Sequence, residues 1–99
     1  MSSGEDFGFA PPPFNAENAL LTLKRALRDL KLAERGNAFE LRGKRVVEWA
    51  IEGEAIQARL ARRPLLTPEW DRIAVKSAAD QRKLIDEMKK RLARWDHDE

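Results

Sequence analysis

Six cations bracket one stretch of this chain: Arg42, Lys44, Arg45, Arg59, Arg62 and Arg63. Guanidinium and ammonium groups gathered at one edge of a sheet suit the capture of phosphate or of carboxylates on an acidic protein. They come together only if residues 44–63 fold back on themselves. Gly53 and Glu54, as the central pair of a type II′ turn with Gly supplying positive φ, predict that hairpin. The register then sets Ile51 opposite Ile56, Trp49 opposite Ala58 and Val47 opposite Leu60 on one face. On the other face Glu48 meets Arg59, Ala50 meets Gln57 and Val46 meets Ala61. The same register sets Lys44 against Arg63 and Arg45 against Arg62. Like charges directly opposed destabilise a sheet, and such local inconsistencies tend to mark function.

Two bland readings stand beside the anion site. The cations could splay into water from strand ends, or Glu69 and Asp71 could neutralise them from the neighbouring segment. A helix over the same stretch is also open, since Val46, Trp49, Gly53, Ile56 and Leu60 recur at spacings of three and four. Gly53 in mid-element and the β-favouring Val46, Val47, Trp49 and Ile51 favour the hairpin.

Other reactive side chains are sparse. The single histidine, His97, lies in a terminal WDHDE segment with nothing to fix it for acid-base work. Asp96, His97, Asp98 and Glu99 read as a frayed acidic end rather than a metal site, which needs fixed geometry. Glu52 and Glu54 flank the Gly53 turn as solvated charges. No phosphate-binding glycine loop or nucleophile elbow occurs, and the expectation is a protein that is not an enzyme and takes no cofactor.

The 99 residues suffice for one domain, and no cysteine is present for disulfides or thiolate metal sites. No signal-like segment and no long apolar run occur, which reads as a cytoplasmic protein with no membrane partner. The formal net charge is only +2, but all 19 Lys and Arg lie within residues 24–94, alongside 11 of the 17 acids. A basic body with acidic ends suggests an anionic partner, or tails that screen the body.

The elements around the hairpin follow from periodicity. Residues 1–14 form a flexible tail in which Pro11, Pro12 and Pro13 block a helix. Phe14 staples onto the first helix, and Phe7 and Phe9 lie over the domain or dock on a partner. Asn15 caps a helix from Ala16 to about Ala33, with Leu20, Leu23, Leu27 and Leu30 inward and Gly36 and Asn37 stopping it. Phe39 and Leu41 alternate as a strand, joined by a three-residue loop around Gly43 that sets Phe39 opposite Val47 and Leu41 opposite Arg45. Leu65 and Leu66, between Pro64 and Pro68, cover the core edge. Residues 69–76 give a turn near Trp70 and then a short strand carrying Ile73 and Val75. Ser77 and Asp80 resemble a capping box for a helix from Ala78 to about Trp95, with Leu84, Ile85, Met88, Leu92 and Trp95 inward.

The predicted fold is α+β and two-layered: an N-terminal helix, a three- to four-stranded antiparallel β-meander and a C-terminal helix, with both helices on one sheet face. Residues 15–95 form the domain and 96–99 an acidic tail. The open face is expected to carry Glu40, Arg42, Lys44, Val46, Glu48, Ala50, Gln57, Arg59, Ala61 and Arg63. The functional expectation is a non-enzymatic binding module, monomer or homodimer, engaging an acidic protein or nucleic acid through its basic cluster. The alternative is a structural or adaptor protein, a homodimer through the open face included. Scarce aromatic platforms on that face weigh against single-stranded nucleic acid.

Overall fold

The structure is a computed structural model that describes residues 14–97. The expectations for Phe7, Phe9, Pro11 to Pro13, Asp98 and Glu99 lie outside the described residues. Helix α1 (Ala16–Asp29) begins where the sequence predicts, with the Asn15 side chain accepting a hydrogen bond from the Asn18 N–H at 2.9 Å. It ends earlier than expected. Lys31 takes φ 71, the Lys31 N–H bonds the Arg28 carbonyl, and the Leu32 N–H reaches the Leu27 carbonyl. This is a left-handed helix terminus with a lysine where glycine is usual, sealed by the buried Leu32. Gly36 and Asn37 therefore do not stop the helix. They turn an unexpected strand, β1 (Ala33–Arg35), into β2 (Ala38–Leu41), with Arg35 opposite Ala38.

Strands β2, β3 (Lys44–Glu52), β4 (Ala55–Ala61) and β5 (Trp70–Val75) complete one antiparallel sheet whose five strands lie in chain order. The hairpin of β3 and β4 has the register read from the sequence, from Val47 opposite Leu60 to Glu52 opposite Ala55. Gly53 stands at φ 62 between them. Residues 69–76 are almost wholly strand, and Trp70 lies within β5 rather than in a turn before it.

The connection of β2 to β3 differs from the three-residue loop expected. Arg42 and Gly43 have φ 54 and 82, the two positive values of a type I′ turn, so Leu41 pairs with Lys44 and Glu40 with Arg45. Phe39 still meets Val47, because a β-bulge shifts the register between Phe39 and Glu40. The bulge leaves Val46 as the extra residue and draws it into the same fully buried cluster as Val47. Val46 is thus not an open-face residue, nor is Lys44, which shares the side of Leu41.

Helix α2 (Ala78–His97) starts on the predicted box: Ser77 Oγ accepts the Asp80 N–H, and Asp80 reaches back to the Lys76 N–H. Both helices pack on one sheet face over Phe39, Val47, Trp49, Ile56, Ala58, Leu60 and Val75, with Leu23, Leu27, Leu84, Met88 and Trp95 closing the core. Phe14, Leu20, Leu30, Ile85 and Leu92 are packed against its rim. Ile51, expected in the core, lies 41% exposed near the hairpin tip. Leu65 and Leu66 do not cover the core edge; they are 49% and 82% exposed in the loop before β5. None of the described helices is long and apolar enough to cross a membrane.

Candidate functional site

The sheet face opposite the helices is built from alternate residues of each strand, because successive side chains point to opposite sides. One row across it runs Arg35, Ala38, Glu48, Arg59 and Arg72, each paired with the next. Beside it Ala50 meets Gln57, and Gln57 meets Ala74. Glu48, Ala50, Glu52, Gln57, Arg59 and Arg72 line a shallow groove of about 360 Å³, which Asn37 closes at one end. Asn37 is held there by its carbonyl, which accepts the Trp49 N–H at 3.1 Å, and by its amide, which donates to the Trp49 carbonyl at 3.3 Å.

The structure divides the six predicted cations. The opposed pairs Lys44–Arg63 and Arg45–Arg62 are not part of the sheet: the β3–β4 ladder stops at Val47 and Leu60, and β4 ends at Ala61. The bulge and the tight turn instead commit Lys44 and Arg45 to β2. Arg45 shares the open face with Glu48 and pairs with it at 3.1 Å, a contact at i,i+3 that the bulge makes possible. Arg59 also pairs with Glu48 and lies over the Trp70 ring, 5.3 Å from its centroid. Arg42 sits in the β2–β3 turn, beside Leu41, Leu92 and Asp96.

Arg62 is neutralised by the neighbouring segment, as one of the bland readings anticipated. It bonds Asp71 at 2.8 Å and lies 3.5 Å from Glu69. Asp71 is also gripped at 2.8 Å by Arg91, a buried arginine of α2 absent from the sequence reading. The hydrogen bond from Arg62 and then that from Arg91 hold the Asp71 carboxyl below the usual carboxylate range, and the same bond raises the Arg62 guanidinium. Arg91 further donates to the carbonyls of Ala61 at 2.9 Å and Leu60 at 3.4 Å, and to Glu87 at 2.8 Å. Trp95 donates its indole N–H to the Arg62 carbonyl at 3.3 Å. These bonds satisfy the frayed end of β4 and fasten α2 to it. Their role is architectural.

What remains is a smaller and differently placed group of cations. Arg59 and Arg72 stand directly opposite each other on the open face, with Glu48 shared between Arg59 and Arg45. Arg72 and Arg63 are exposed and, among the described residues, form no ion pair. Arg72 escaped the sequence reading because the eight residues between β4 and β5 fix no register. Its signal was present all the same in the alternation of Trp70, Arg72 and Ala74 against Asp71, Ile73 and Val75. Among the described residues no group of three His, Cys, Asp or Glu side chains is placed to hold a metal ion. The groove offers charged and hydrogen-bonding side chains on the open sheet face. No family model, curated protein or solved structure matches this chain.

Proposed function

We propose that the chain is a non-enzymatic binding module that holds an anionic partner on the open face of its sheet. Arg59 and Arg72 make the primary contact, and Arg63 extends it. The observation that supports this most is the direct opposition of Arg59 and Arg72 over an exposed groove. Stability alone would favour an acid or a threonine at one of the two positions. An acidic protein is favoured over nucleic acid, because among the described residues the one aromatic of this face, Trp70, is already overlaid by Arg59 and is not free to stack bases on that side. The cysteine-free composition fits a reducing compartment such as the cytoplasm.

A structural homodimer through the same face draws less support. Val46 and Ala61, two of the small residues that would admit another surface, are buried within the chain itself. The test compares the parent with an Arg63→Glu, Arg72→Glu double variant. Labelled oligonucleotides, heparin and polyglutamate are titrated at two salt concentrations. The parent is expected to bind polyglutamate and to lose affinity with salt, and the variant to lose most of both. A parent that binds no polyanion would remove the proposal.

A further inference from the structure

We infer that the free edge of β5 receives an extended acidic segment of a partner protein as a sixth strand. This rests on the reading that the open face holds an anion, and it names what carries that anion.

The orientation of the β5 backbone follows from one hydrogen bond. The Arg62 N–H donates to the Glu69 carbonyl at 2.9 Å, which makes 62 and 69 a hydrogen-bonded pair. In an antiparallel ladder every second residue repeats that orientation. Asp71, Ile73 and Val75, opposite Leu60, Ala58 and Ile56, therefore turn their N–H and C=O groups toward β4. Trp70, Arg72 and Ala74 turn theirs outward, where the sheet order ends. Among the described residues nothing is bonded to those outward groups.

The two edges of the sheet are unequal as templates. At the far edge β1 has three residues, too few to align a strand. β5 has six, in unbroken register with β4 and without proline, which is the length of an ordinary strand. Edges of this kind recruit strands unless they are guarded. Arg72 is a guard against indiscriminate pairing, and its position also selects what can pair.

That selection is electrostatic. A new strand beside β5 extends the row Glu48, Arg59, Arg72 by one position on the open face. A carboxylate there would make the charges alternate in pairs instead of ending on two adjacent cations. The β5 edge of a second copy cannot supply it. Two β5 strands joined antiparallel, with their helices on the same side, bring Arg72 opposite Arg72, Trp70 or Ala74 of the copy, and none of these is acidic. On the helix side the added strand meets the half-buried Ile73, which asks for an apolar residue. The partner segment thus alternates acidic and apolar residues, acids toward the open face.

The experiment adds a short capped peptide alternating valine and glutamate to the full chain and follows backbone amide exchange by NMR. Two control peptides replace glutamate by lysine, or N-methylate alternate amides so that pairing is blocked. The glutamate peptide is expected to slow the Arg72 and Ala74 amides at least about tenfold, and to leave Asp71, Ile73 and Val75, already in the ladder, unchanged. The lysine and N-methyl peptides should leave the Arg72 and Ala74 amides unprotected, and Arg72→Glu should transfer the preference to the lysine peptide. Ala74→Pro, which removes one outward N–H and spares the β4 ladder, should weaken binding while a thermal melt shows the fold kept. Binding without protection at Arg72 and Ala74, or equal binding of the N-methyl peptide, overturns strand addition and leaves the basic-face reading in place. Capture of oligonucleotides or heparin but not of the glutamate peptide overturns it in favour of nucleic acid. No binding of any polyanion overturns both.

Discussion

Arg59 and Arg72 face each other across the β4–β5 ladder with both side chains on the open face, and among the described residues only Arg59 of the two forms an ion pair. Replacing Arg72 by an acid converts a repulsive cross-strand pair into an attractive one. Arg72→Glu is expected to stabilise the fold by about 0.5–1 kcal/mol, read as a higher urea midpoint at unchanged slope. The gain should shrink at high salt. A loss of stability would mean that Arg72 is structural.

Lys31 holds φ 71 at the end of α1, a conformation that costs an L-residue roughly 1–2 kcal/mol and glycine almost nothing. Lys31→Gly, set against the entropy glycine adds to the unfolded chain, should raise stability by about 0.5–1 kcal/mol. Thermal melts of the two proteins check it.

Trp49 lies between the sheet and α1, 6% exposed, with its ring 5.3 Å from that of Phe39 and with Lys24 Nζ 5.4 Å from its centroid. Trp49→Ala should cost about 3–5 kcal/mol, because the sheet and helix cannot close over so large a void. Denaturant unfolding measures it directly.

Gly53 makes its turn at φ 62, and a side chain there would meet nothing within 4 Å. Any penalty on substitution is therefore backbone strain rather than collision. Gly53→Val should cost well over about 1 kcal/mol and Gly53→Asn much less, since Asn tolerates positive φ. Equal melting of the two variants would contradict that account.

Asp71 carries a carboxyl whose folded pKa is held below its unfolded value by Arg62 and Arg91. A depressed carboxylate adds stability above its unfolded pKa, and this is lost as pH falls through the folded value. Asp71→Asn should thus be less stable than the parent near neutral pH, and the difference should vanish at strongly acidic pH. A pH series of urea melts reads out both limits. Arg91→Met should cost more than Asp71→Asn, because it also strips the donors from the Leu60 and Ala61 carbonyls.

The β3–β4 hairpin was legible because one register sorted two faces at once, apolar residues to one side and the Glu48–Arg59 pair to the other. β1 was not legible, since Ala33, Glu34 and Arg35 are exposed and have no apolar alternation to read; pairing with β2, with Glu34 tied to Lys24 and Arg28 of α1, makes them a strand. The end of α1 was hidden by the rarity of lysine in a left-handed terminus. The bulge had one sign, the consecutive Val46 and Val47, which no unbroken alternation can bury together. For the candidate site the sequence gathered cations by proximity in the chain. It did offer Glu69 and Asp71 as counter-charges, which Arg62 takes up, but it had no means of seeing that α2 would bring Arg91 across from the far end of the domain.

The order of the strands has a consequence for how the chain reaches this fold. Each strand pairs with its immediate predecessor, and three of the four hairpins close through two-residue turns. Nearly all of the sheet can therefore be zipped by local encounters with little loss of loop entropy, which places it among the faster-forming β topologies. The exception is the arrival of α2, which must bring Arg91 back to the end of β4 and Met88 and Trp95 onto the core. Until that helix docks the sheet is paired but covered by α1 alone, so the part of its apolar face under α2 is sealed late, by the last element of the domain to be made.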